Sequence, residues 1–125
     1  MTYKLSQKSL DRLKGVHPDL VKVVKKAIEY TPVDFRITEG LRTRERQAYL
    51  LKKGATRTMR SRHITGHAID VVALPDGEVS WDMKYYKQIT QAFKRAAAEL
   101  GIPMEHGSDW GWDGPHHELH RSTYK

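Results

Sequence analysis

The chain contains no cysteine. Disulfides, thiolate zinc fingers, iron–sulfur clusters and thiol nucleophiles are excluded together, so any bound metal must be held by His, Asp or Glu. Long apolar runs are also missing. No stretch approaches the roughly 18 consecutive apolar residues of a membrane-spanning helix. The N-terminal MTYKLSQKSLDRLKG lacks the apolar core of a signal peptide. The expectation is a chain that stays in the cytoplasm where it is made until something releases it. At 125 residues the sequence fits one compact domain, 1–125, with little room for a separate binding module.

Positive charge is what the sequence has in excess. Lys plus Arg is 22 against 15 Asp plus Glu, a formal net charge of +7. That balance points to an anionic partner. Nucleic acid is the usual first candidate, but no nucleic-acid-binding motif accompanies the charge. A bacterial envelope is the other polyanion, and charge alone does not choose between them.

Apolar periodicity runs along most of the chain and outlines its elements. Ser6 caps a short helix over 6–14, ended by Gly15. His17-Pro18 opens a second helix with Leu20, Val23, Val24, Ala27 and Ile28 on one stripe, and Lys22, Lys25 and Lys26 mostly off it. Residues 34–38 alternate as a half-buried strand. Thr43 caps a third helix to about Lys53. Residues 55–62 read as a basic loop, and His67 to Leu74 as a strand. Asp82 caps a long helix to Leu100, with Met83, Tyr86, Ile89, Phe93, Ala97 and Leu100 on one side. Ile102–Glu105 and His116–His120 are short strand candidates around a loop rich in Gly, Asp and Trp. The fold class is α+β, a small antiparallel sheet with flanking helices.

Four of the seven histidines lie between 106 and 120, and His63 and His67 form a second group. Such clustering in a Cys-free chain calls for a metal test. His116 and His120 with Glu118 between them superficially match H-E-x-x-H, but His117 occupies the glutamate position and Gly114-Pro115 precede it. A discontinuous constellation is better. Its first piece is Ser61-Arg62-His63-Ile64-Thr65-Gly66-His67-Ala68-Ile69-Asp70. Its second is Asp113-Gly114-Pro115-His116-His117-Glu118-Leu119. In a strand, His116 and Glu118 share a face and His117 points the other way.

The pattern S-x-H-x-x-G-x-A-x-D, followed by D-x-x-H-x-E-L, resembles the zinc peptidases of peptidoglycan that include D-alanyl-D-alanine carboxypeptidases and dipeptidases. Within that group the chain is most similar to phage endolysins that are L-alanyl-D-glutamate peptidases. Gly40-Leu41-Arg42-Thr43, with Gln47 close behind, also fits. The resemblance implies a sheet shared with the hedgehog signalling domain and one zinc ion on His63, Asp70 and His116. It implies Asp113 as general acid/base, Arg42 as the cation beside the developing oxyanion, and Ser61 and Gln47 as substrate contacts. Glu118 is left as an outer partner of the site or an alternative base. The implied activity is hydrolysis of the L-alanyl-D-glutamate bond of peptidoglycan, with D-alanyl-D-alanine carboxypeptidase or dipeptidase activity as the alternative. The implied setting is phage-induced lysis by a monomer that takes no nucleic-acid partner and does not insert stably in the membrane. It accumulates in the host cytoplasm and acts in the periplasm or wall after a separate hole-forming protein releases it.

His67 reads as a neighbour of the site or a surface residue. His17, His106 and His120 read as structural or exposed. Trp81, Trp110 and Trp112 are candidates for the core, with Trp110 or Trp112 as an alternative wall of the substrate cleft.

Overall fold

A computed structural model describes residues 2–55, 59 and 61–125. Helix α1 (Gln7–Arg12) begins at Ser6, whose hydroxyl accepts from the Ser9 amide. Helix α2 (Pro18–Tyr30) begins at His17, where the imidazole Nδ1 accepts from the Asp19 amide at 3.1 Å. Pro18 fills a first-turn position that needs no donor. After β1 (Phe35–Glu39), Thr43 caps α3 (Arg44–Lys52). Then come β2 (Ala68–Ala73), α4 (Met83–Leu100) capped by Asp82, β3 (Met104–His106) and β4 (His116–Leu119).

The four strands form one antiparallel sheet in the order β1-β2-β4-β3. This is the expected α+β architecture. Side chains alternate between its two faces. Phe35, Ile37, Ile69, Val71, Ala73 and Leu119 join a buried cluster with the apolar stripes of α2 and α4. The intervening Asp70, His116 and Glu118 point to the other face, so the core and the candidate site lie on opposite sides of one sheet.

An irregularity in β1 matters for that second face. Phe35, Arg36 and Ile37 pair with Ala73, Val72 and Val71, but Glu39 pairs with Asp70. Thr38 is therefore an extra residue. Without it Glu39 would follow Phe35 and Ile37 into the core; with it Glu39 joins Asp70 on the site face.

Some details differ from the sequence reading. Leu100 is 39% exposed, because the apolar stripe is completed by Ala96 and Ala97 and Gly101 then turns the chain in the left-handed region. The strand expected from Ile102 starts at Met104: the Ile102 amide closes the helix end on the Ala97 carbonyl, and Pro103 has no N–H to give. Trp81, Trp110 and Trp112 are all exposed and none joins the core. The basic loop over 55–62 includes 56–58 and 60, which lie outside the described residues; Ala55, Met59, Ser61 and Arg62 belong to no helix or strand.

Candidate active site

His63 is 3% exposed, and its Nδ1 lies 3.0 Å from the Gly40 carbonyl. A carbonyl only accepts, so Nδ1 donates to it and Nε2 is the nitrogen left for Asp70 or a metal. Gly40 can come this close only as glycine: a Cβ there would sit 2.0 Å from the Arg12 carbonyl oxygen. His63 Nε2 points at Asp70 Oδ2, 3.3 Å away.

His116 approaches Asp70 from the other side. The two are directly opposed across β2 and β4, and His116 Nδ1 is 3.3 Å from Asp70 Oδ1. Its Nε2 donates to Glu118 Oε1 at 2.9 Å. Ala68 stands opposite Glu118, so the small side chain leaves room for the carboxylate on that face. Candidate ligand atoms from His63, Asp70 and His116 all lie within 4.8 Å of one another.

The charge state of this trio fits a cation site. Burial alone would raise the Asp70 pKa, but hydrogen bonds from His116 and His63 outweigh it and hold the carboxyl well below the usual range. Burial likewise opposes charge on His116, yet Asp70 and Glu118 raise it to about 9. The two carboxylates thus favour positive charge at this point of the cleft. Both imidazoles have their outer nitrogen held by an acceptor, Gly40 or Glu118, and their inner nitrogen turned to Asp70. That is the arrangement histidine ligands take around zinc.

A cleft of about 500 Å³ opens over the trio, lined among others by Glu39, Arg42, Ser61, Arg62, Asp113, Glu118 and Arg121. The Asp113 carbonyl accepts from the His116 amide at 3.1 Å, a turn that explains the spacing of three between them. The loop folds tightly on Gly107, where a Cβ would meet the Asp113 carbonyl oxygen at 1.7 Å. Burial raises the Asp113 carboxyl and the Asp70 charge adds to this, against His116 and His63. Glu118 is shifted the opposite way: burial is outweighed by the hydrogen bond from His116 and by nearby cations.

Arg42 is buried and clamps Glu39 with two 2.7 Å bonds, from Nε to Oε1 and from Nη2 to Oε2. Its Nη2 also lies 3.9 Å from Asp70 Oδ2, so one guanidinium faces both carboxylates of that end of the cleft. Gln47, expected to touch substrate, is fully buried and does not line the cleft. It stands behind Arg42 and accepts from Nη1 at 2.7 Å. The Ser61 hydroxyl is on the cleft wall, where it accepts from the His63 amide.

The histidines outside the trio separate cleanly. His117 faces the core, stacked on Phe93 at 4.1 Å, and its Nδ1 is 2.9 Å from His106 Nδ1. His67 lies apart from the cleft, bonded to Thr65 and near His17. His120 bonds Ser122. Trp110 and Trp112 both wall the cleft, the Trp110 ring 5.4 Å from that of His116. Arg62, the end of the basic loop, lines the cleft, as do Glu39 and Arg121, which the sequence did not single out. Only the i, i+3 spacing of Glu39 and Arg42 hinted at the first of them.

The model of the phage L-alanyl-D-glutamate peptidase family matches residues 1–125. The chain belongs to this family. It is 36% identical over 129 residues to the L-alanyl-D-glutamate peptidase of Escherichia phage T5, covering 99% of this chain and 94% of that protein. It is 30% identical over 129 residues to an L-alanyl-D-glutamate peptidase of a Listeria phage, there covering 99% of this chain and 45% of the longer relative. The crystal structure of the Serratia marcescens L-Ala D-Glu endopeptidase superposes with a TM-score of 0.92 at 47% identity, over 98% of this chain and 94% of that one.

Proposed function

We propose that this peptidase is a zinc-dependent endolysin that hydrolyses the bond between L-alanine and D-glutamate in the peptidoglycan stem peptide. The observation that carries the zinc reading is the convergence of His63, Asp70 and His116, with both imidazoles already oriented, beneath the cleft that also holds Asp113. Two histidines and one carboxylate suit zinc, and three protein donors leave a further position open, as catalysis requires. Zinc bound there lowers the pKa of water towards neutrality and polarises a carbonyl.

The protein's own groups do the rest. His63, Asp70 and His116 would hold the ion; Gly40 and Glu118 fix the two imidazoles in the orientation that this needs. Asp113 takes a proton from the attacking water and passes it to the departing amine of D-glutamate. Its raised pKa suits both halves of that transfer. Arg42 adds fixed positive charge where the scissile carbonyl oxygen becomes negative. Glu118, held ionised and committed to His116, orients that ligand and is not needed as a base. Ser61 offers a hydroxyl to the substrate at the cleft wall. The enzyme acts as a single-domain monomer, made in the host cytoplasm and reaching the wall through a hole formed by another protein. Among the described residues no helix is long and apolar enough to cross a membrane.

Digestion of purified peptidoglycan, with the products identified by mass spectrometry, tests the bond. New amino termini on D-glutamate are expected, and released D-alanine alone would overturn the assignment. Metal analysis of the active protein tests the ion.

A further inference from the structure

Among the described residues three arginines line the cleft, and they are not equivalent. Arg42 is fixed in place by Glu39 and Gln47 at the other end of the cleft, beside Asp70. Arg62 is 10% exposed at its side chain, and its Nη2 donates to the carbonyls of Leu119 and Tyr124 at 3.0 and 2.6 Å. Arg121 is 66% exposed at its side chain, and its Nε lies 3.6 Å from Glu118 Oε2. Arg62 Nε sits at the same 3.6 Å from the same oxygen. Two guanidinium groups therefore converge on one carboxylate, whose other oxygen is taken by His116. Glu118 Oε2 is shared by both and pairs fully with neither. Among the described residues, Arg62 Nε and Glu118 Oε2 are also buried without a hydrogen-bond partner. A second anion beside Glu118 would give each guanidinium a partner of its own.

The substrate brings such an anion. D-glutamate has two carboxyls; when one continues the stem peptide, the other is free, a few bonds from the amide that is cut. We infer that Arg121, backed by Arg62, forms the subsite for this free carboxylate and makes the cleft selective for an acidic residue on the amine side of the scissile bond. The inference rests on the bond assignment above. Glu118 Oε2 faces the same arginines and repels the incoming carboxylate. Arg121, being exposed, is the group that turns to the ligand while Arg62 stays on Glu118. A guanidinium is suited to that task because it meets a carboxylate through two parallel N–H groups.

The test uses two synthetic stem peptides that differ only in this group, the free acid and its primary amide. For the zinc-loaded wild type, kcat/KM for the acid should exceed that for the amide by about 10- to 100-fold, the range expected for a charge-assisted hydrogen bond, and mainly through KM. Arg121→Gln should bring the acid-over-amide ratio close to one, and Arg121→Lys should restore part of it. Binding of the two peptides to the metal-free protein, followed by calorimetry, should show the same preference and the same loss. A merely structural effect of Arg121 would lower both substrates together, and that result overturns the subsite. So does a wild type with no preference, or a ratio that survives Arg121→Gln. If the wild type cuts neither peptide at this bond but releases D-alanine from peptidoglycan, the bond assignment itself fails and the subsite falls with it.

Discussion

Asp113 and Glu118 flank His116, and their surroundings give them different work. Asp113 is raised by burial, whereas Glu118 is held ionised by His116 and nearby arginines. Asp113→Asn should keep zinc at the wild-type level while turnover falls by about 10²- to 10⁴-fold, the usual worth of a general acid/base. Metal analysis beside an assay on sacculi reads both quantities. Glu118→Gln should do the reverse first. The amide can still accept from His116 but brings no charge to it, so zinc affinity should drop roughly 10- to 100-fold in competition with a chelator. Unchanged affinity would mean that Glu118 does not govern His116. The D-x-x-H spacing made Asp113 visible in the sequence. The direction of its shift was not visible, because it depends on how Gly107 packs the loop against the sheet.

Strands carry the argument at the next scale. Period-two alternation was enough to separate His116 from His117 before any coordinates, since a regular strand cannot turn both to one side. The same logic failed for Glu39. Simple alternation sends Glu39 to the core with Phe35 and Ile37; the extra residue Thr38 reverses it, and no residue type announces such a bulge. Gln47 was misread for a related reason, as chain proximity to Arg42 does not distinguish a residue facing the cleft from one behind it. On the core side, β3 and β4 bring His106 and His117 together. Burial is the main cause that pushes His106 down to about 4, with Lys94 and His116 adding to it against Asp109. A histidine in the unfolded chain titrates near roughly 6.5. Between those values the unfolded state binds the extra proton, so stability is full above about pH 6.5 and falls as pH drops towards 4. The loss should be of order 3 kcal/mol over that interval. Denaturant melts from pH 4 to 7 should show the slope, and His106→Gln should reduce it, the remainder belonging to His117, which burial also holds neutral.

Over the whole molecule, the +7 charge leads to a prediction about wall binding. A basic protein whose substrate is an anionic polymer should gain residence on that polymer from general attraction. Such attraction is screened as the Debye length shrinks from about 10 Å at 0.1 M salt to about 3 Å at 1 M. Retention on sacculi should therefore fall across that range while the zinc content of the recovered protein stays constant. Equal retention at both ends would detach the charge from wall binding. Composition alone left nucleic acid and envelope as rival partners; only the joint pattern of Ser61, His63, Asp70, Asp113 and His116 separated them.

The sheet also divides what mutation can do. Along β4, neighbouring positions answer to different tests: 117 and 119 to whether the chain folds, 116 and 118 to whether it cuts. Variation at one set leaves the other set's contacts largely in place. A lineage can thus retune the cleft residue by residue behind an unchanged scaffold, and a screen for folded protein would pass cleft variants that a screen for lysis rejects.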